Sequence, residues 1–245
     1  MHKHDENAIH SESSSSIQII NDYLGEFVYG GIDGSVTTFA VVSGAVGAGL
    51  NSSVILILGC ANLLADGLAM SIGAFLSTKA EKEKYDKTER LEYWEIEHLP
   101  DKEREEIREI YEAKGFSGEL LEQVVDVITA DNDRWVDVMM KEELEMHRET
   151  KSAVWVGAAT YISFLILGLI PLLVYFWDFA IAPVQNKFTW SMALTFSAFA
   201  IIGYLKAYIN GSSKIRAVAE TLILGGLAAA VSFYVGDLLE HLLTK

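Results

Sequence analysis

The chain has 245 residues, 51% of them hydrophobic, one cysteine and a formal net charge of −15. A lone cysteine excludes an internal disulfide and a thiolate metal cluster, and the acidic balance disfavours nucleic acid as a partner. An ordinary soluble domain is excluded too, because charge is segregated: residues 34–65 and 152–177 carry none, whereas 23 of the 34 acidic side chains fall between Glu81 and Glu149.

Residues 1–22 are polar, rich in Ser and His, and lack the apolar core of a signal peptide; they read as a disordered tail. His2, His4 and His10 offer metal ligands there, but the composition is that of a tail. Residues 23–79 form the first membrane region. About 20 apolar residues cross a bilayer, so the charge-free run is too long for one helix. Gly47, Gly49, Asn51 and Ser52 interrupt it, giving two predicted spans, Phe27–Ala48 and Ser53–Thr78.

Ionisable groups in a span are costly and usually functional. Glu26, Gly30, Asp33 and Thr37 form a polar stripe on span one, and Asn62, Asp66 and Met70 one on span two. Asp33 lies about 9 Å into the first span and Met70 about 12 Å from the same face on the antiparallel second, at 1.5 Å per residue. A cation path lined by Glu26, Asp33, Asp66 and Met70 fits this pattern; so does a polar contact between helices. Gly30 and Gly34 make a G-x-x-x-G spacing that lets backbones approach closely, either within one chain or at a homodimer seam. Two copies of Asp33 at a dimer axis would complete an ion's coordination better than one, which favours the homodimer.

Residues 80–150 read as an acidic helical domain. Span two is predicted to run on to His98, where Pro100 stops it. Asp101 is expected to cap a helix over Lys102–Lys114 that Gly115 ends, Ser117 a third helix to about Ala130, and Asp131 a fourth over Arg134–Glu149. Glu92 and Glu95, and Glu103 and Glu106, are three apart, while Met139, Met140 and Glu143 lie together on the last helix. Residues i and i+3 share a face, so each pair presents two carboxylates to one ion, and unneutralised they repel. A solvated face balanced by Lys102, Arg104 and Arg108 satisfies the same spacing, and a Met pair also serves as core. Carboxylate with thioether would suit iron(II) or manganese(II) better than calcium.

Residues 151–241 hold three more predicted spans, Ser152–Trp177, Phe188–Ile209 and Arg216–Leu239. Lys206 and Glu220, near span ends, fit snorkelling or mutual pairing. The basic clusters after span two, before span three and around the turn between spans four and five fall on one face, which puts the N-terminus and the acidic domain in the cytosol and the C-terminus outside. The expected fold is all-α: a polytopic membrane protein of five transmembrane helices with a cytosolic helical bundle between spans two and three. No serine–histidine–acid cluster or phosphate loop suggests an enzyme.

Asp33-Gly34-Ser35-Val36-Thr37-Thr38-Phe39, Ala69-Met70-Ser71-Ile72-Gly73, Glu92-Tyr93-Trp94-Glu95-Ile96-Glu97, Glu103–Tyr111 and Val138-Met139-Met140-Lys141-Glu142-Glu143 resemble, in order, segments of the vacuolar iron transporter family. The resemblance implies a homodimer exporting iron(II) from the cytosol in exchange for protons, without a prosthetic group, in a vacuolar membrane or the plasma membrane of a prokaryote. It implies that Asp33 and Met70 line the path, and that Glu92, Glu95, Glu103, Glu106, Met139, Met140 and Glu143 gather the metal. The residues alone do not rank iron(II) above manganese(II), cobalt(II) or zinc(II). Ala74 stands where many relatives carry a glutamate, so coupling would fall to Asp66 or differ. The alternative is a membrane-anchored metal sensor or iron-storage protein with a regulatory acidic bundle.

Overall fold

The computed structural model describes residues 22–244, so His2, His4 and His10 lie outside the described residues, as does the predicted tail up to residue 21. Helices are the only regular structure among them, in two compact units: residues 22–75 with 152–244, and residues 76–151. Chain order gives α1 (Leu24–Gly47), α2 (Ser52–His98), α3 (Pro100–Ala113), α4 (Gly118–Thr129), α5 (Asn132–Val138), a π-helical turn (Met139–Glu143), α6 (Ala153–Gly168), a 3-10 turn (Ile170–Leu172), α7 (Leu173–Ala180), α8 (Lys187–Ile209) and α9 (Lys214–Leu243). Helix α2 is continuous over 47 residues and takes part in both units.

In the first unit α1 packs against α6, α8 and α9. Its glycines make this possible. A Cβ on Gly34 would stand 2.5 Å from the Phe164 carbonyl oxygen, and one on Gly47 2.1 Å from that of Phe233. The G-x-x-x-G face is therefore filled within the chain by α6, which removes Gly30 and Gly34 from any dimer seam. Buried Val28, Phe39, Val42 and Ala45 complete the packing.

Four helical segments are long and apolar enough to cross a membrane: Ser52–His98, Ala153–Ala180, Lys187–Ile209 and Lys214–Leu243. Helix α1 has 24 residues but is not among them, since glycine, serine and threonine dilute its hydropathy. The third predicted span is broken, α6 giving way to the 3-10 turn at Pro171, which cannot supply a helical N–H. The Ser191 hydroxyl donates to the Pro171 carbonyl at 2.6 Å. At the opposite ends of these helices from Asn210 and Tyr29, whose side chains are 3.4 Å apart, Lys187 Nζ bonds Asp178 at 2.6 Å and Ser52 at 2.8 Å, joining the starts of α2 and α8 to α7.

The second unit has its own core of Ile96, Ile107, Val125, Trp135, Met139 and Met140 among others. Pro100 occupies the first position of α3, with Leu99 as N-cap, so Asp101 lies in the first turn and is not the cap. Gly115 follows α3 at φ 97°, as a helix stop requires. Ser117 holds the N-cap position of α4 but makes no side-chain bond there. Asp131 does cap α5, accepting from the Arg134 N–H at 2.9 Å. The predicted fourth helix to Glu149 ends early: it widens into the π turn over Met139–Glu143 and stops, with Glu145 at φ 51°.

Candidate metal centre

Leu99 alone separates α2 from α3, so the last turns of one face the first turns of the other. Ile96 and Ile107 point into the core, and Glu92 and Glu103, each one turn earlier on its helix, are drawn to the same inner face. They are 4% and 1% exposed. One carboxylate oxygen from each of Glu92, Glu95 and Glu103 lies within 4.8 Å of the others, a spacing that can hold a metal ion. Lys102 Nζ stands 2.8 Å from Glu106 Oε1 and 4.0 Å from Glu103 Oε1, but its side chain is largely exposed. Glu103 Oε2 is buried without a hydrogen-bond partner among the described residues.

This crowding has an electrostatic cost. Burial, and then the Glu95, Glu143 and Glu106 carboxylates, push Glu92 up to about 7. Burial and then Glu106 push Glu103 up to about 7 as well. Burial first and Glu106 second also raise Glu143. Glu95 and Glu106 thus act on each of Glu92, Glu103 and Glu143. A divalent cation would neutralise the cluster and favour the ionised forms. Met139 and Met140 are fully buried in the hydrophobic core of the same unit.

In the membrane unit, Asp33 is half-buried on α1. Its backbone carbonyl accepts from the Thr37 hydroxyl at 2.8 Å. Among the described residues no lysine, arginine or amide side chain pairs with the Asp33 carboxylate; the charge that acts on it is that of Asp66 on α2. Met70 is partly buried against the cluster of Val42, Leu63 and Phe164, and Glu26 is partly buried in the first turn of α1. Asn62 Nδ2, on the stripe of Asp66 and Met70, is buried without a hydrogen-bond partner among the described residues.

Some functional geometry was not anticipated. Glu95 and His98 are spaced as the Glu-x-x-His of di-iron bundles, yet His98 stacks on Trp94 with centroids 4.4 Å apart and its Nδ1 lies 2.8 Å from the Trp94 carbonyl oxygen, so its ring is engaged locally. A second polar cavity of the acidic unit holds Tyr93 bonded to Asp133 at 2.7 Å and Arg148 bonded to Glu89 at 2.7 Å. The Lys187–Asp178 tie had a signal in the sequence: they are the only two charges between spans three and four, and opposite in sign.

The sequence model of the VIT family matches residues 24–237. The chain is similar to the vacuolar iron transporter of Toxoplasma gondii, 33% identical over 244 residues that cover 97% of this chain and 78% of the relative. It is similar also to vacuolar iron transporter 1 of Arabidopsis thaliana, at 30% identity over 88% and 86% of the two chains, and to the vacuolar iron transporter of Plasmodium falciparum, at 27% over 90% and 83%. The match takes in both the glycine-rich α1 and the acidic unit, and the resemblance carried by the motifs is borne out: the chain belongs to the VIT family.

Proposed function

We propose that the protein transports divalent metal ions across a membrane, iron(II) first and manganese(II) as a second cargo, out of the cytosol and in exchange for protons. One observation carries the reading: three carboxylates, two of them buried, converge within 4.8 Å, and Lys102, the cation beside them among the described residues, is largely exposed, in a chain whose relatives are named vacuolar iron transporters. Glu92, Glu95, Glu103, Glu106 and Glu143 collect the ion, with Met139 and Met140 as soft ligands once the π turn opens toward it. Glu26, Asp33, Asp66 and Met70 line the membrane path. A carboxylate there is a switch: the metal holds it ionised, and protons from the far side neutralise it and release the ion. Asp66 stands in for the acid that Ala74 lacks.

The working unit in this reading is a homodimer that pairs through α2. Ala61, Ala65, Ala69 and Gly73 recur four apart and are all exposed, a small-residue face that permits close helix approach, one position from Asp66 and Met70. Two copies of α1 and α2 would supply a metal with enough oxygen and sulfur ligands.

The test is iron(II) and manganese(II) uptake into proteoliposomes with and without a pH gradient. Asp33→Ala is expected to lower flux to that of empty vesicles while leaving metal binding by the acidic unit intact. Near-normal flux in that variant would remove Asp33 from the path. Binding without flux in the unmodified protein would establish the membrane-anchored sensor or storage protein instead.

A further inference from the structure

In a strongly acidic chain, the turn between α8 and α9 runs against the trend. Residues 204–220 hold Lys206, Lys214 and Arg216 and a single acid, Glu220. Lys206 takes that acid, Nζ to Oε2 at 3.3 Å. Lys214 and Arg216 are left without a carboxylate partner among the described residues, and both are exposed. Beside Lys214, α8 and α9 enclose an open groove of about 400 Å³, its wall almost wholly apolar, lined by Tyr204, Ile215, Val218, Ala219 and Leu222 with Lys214 at its rim; Arg216 lies outside that lining, in the same first turn of α9. The Lys214 ammonium is held in place there: it donates to the Tyr204 hydroxyl at 3.2 Å and lies 4.9 Å from the ring centroid. Ile215, beside it, is 85% exposed. Both helices are long and apolar enough to cross a membrane, so the groove opens at the end of two spans, where lipid headgroups meet acyl chains.

We propose that this groove binds one anionic phospholipid, its acyl chain lying along Tyr204, Val218 and Leu222 and its phosphate resting on Lys214 and Arg216. Each half of the ligand answers one half of the site. A zwitterionic lipid offsets its phosphate with its own ammonium and so leaves the two cations uncompensated, and a free anion leaves the apolar wall exposed. Basic pockets between transmembrane helices at a membrane face recognise acidic headgroups in this way. The tyrosine, amphipathic and held by its lysine, sits at the level where aromatic side chains anchor spans. The inference depends on the two spans and not on the cargo, so it stands or falls apart from metal transport.

The experiment is native mass spectrometry of the full chain from detergent micelles doped with equal amounts of phosphatidylglycerol and phosphatidylcholine of matched chains. The unmodified protein should retain phosphatidylglycerol in excess. Lys214→Gln and Arg216→Gln should each cut that excess about five-fold, the factor that about 1 kcal/mol per basic residue gives, and Arg216→Lys should preserve it, which separates loss of charge from loss of fold. Val218→Trp, which fills the groove and keeps both cations, should lower retention too. Equal retention of the two lipids by the unmodified protein, an excess unchanged in the glutamine variants, or displacement of the lipid by millimolar inorganic phosphate would each overturn the proposal.

Discussion

Glu103 is 1% exposed, its Oε2 has no hydrogen-bond partner among the described residues, and its nearest cation is 4.0 Å away on a mostly exposed lysine. A buried carboxylate in that position costs stability whenever it is ionised. Folding raises Glu92 and Glu103 from an ordinary value near 4.5 to about 7, so between those values the folded chain holds more protons than the unfolded one. Stability without metal therefore falls as pH rises from about 4.5 to about 7 and levels above that. Thermal unfolding of the full chain should show a higher midpoint at pH 5 than at pH 7.5, with manganese(II) recovering the difference at pH 7.5 alone. Glu103→Gln keeps the shape and removes one charge. It should raise the metal-free midpoint at pH 7.5 and shrink the metal-induced rise; a lower metal-free midpoint would mean that the ionised form has a stabilising partner. The acids of this cluster were legible from their spacing, but their burial was not. Intervals of three say which carboxylates share a face, while the turn at Leu99 and Pro100 decides that Glu92 and Glu103 face inward.

Helix α1 is held to its neighbours by missing side chains as much as by present ones. A Cβ on Gly236 of α9 would lie 2.0 Å from the Gly44 carbonyl oxygen, with backbone on both sides and no flexible group to yield. Overpacking of this kind costs about 1–3 kcal/mol or more, so Gly236→Ala should lower the unfolding midpoint by several degrees. Gly25→Ala, where an added Cβ meets nothing within 4 Å, should change stability by less than about 0.5 kcal/mol. Equal midpoints for the two variants would show that α1 and α9 do not touch as described. Spacing revealed that one face of α1 is thin, but not which helix fills it, because the complementary Gly168 and Gly236 lie more than a hundred residues away. Helix ends were legible where Pro or Gly marks them, at Pro100 and Gly115. They were not legible after Met140, where the π turn and Glu145 end a helix with neither residue present. The exposed face of α2 supplies its own test. With Cys60 replaced by Ser, Ala69→Cys should form an intersubunit disulfide on mild oxidation in membranes, and Leu64→Cys, exposed but about 140° round the helix from Ala69 at 3.6 residues per turn, should not; crosslinking of both or of neither would overturn the proposed seam at Ala61–Gly73.

At the scale of the whole molecule the number of crossings decides which side each end occupies. Segregated charge made the division into membrane and acidic units legible, because one solvent cannot suit both compositions. It left the status of α1 open, since hydropathy measures what a helix would meet in lipid and α1 meets mostly protein. It carries Glu26 and Asp33, and its glycines, serines and threonines lower its hydropathy, yet Ser35, Thr38 and Ser43 are buried by the chain itself. A helix screened by apolar neighbours need not be apolar to cross; its 24 residues at 1.5 Å each reach about 36 Å, beyond a hydrocarbon core of about 30 Å. The Tyr29–Asn210 contact binds the start of α1 to the end of α8, and the two helices pack together, an arrangement that suits a fifth crossing beside α8. The proposed five crossings would put the start of α1 and the end of α9 on opposite faces. With Cys60 replaced by Ser, Asp22→Cys and Thr244→Cys should differ in reaction with a membrane-impermeant maleimide in sealed, oriented vesicles, one labelled at once and the other only after detergent. Labelling of both from the same side would reduce the count to four and take Asp33 out of the membrane path.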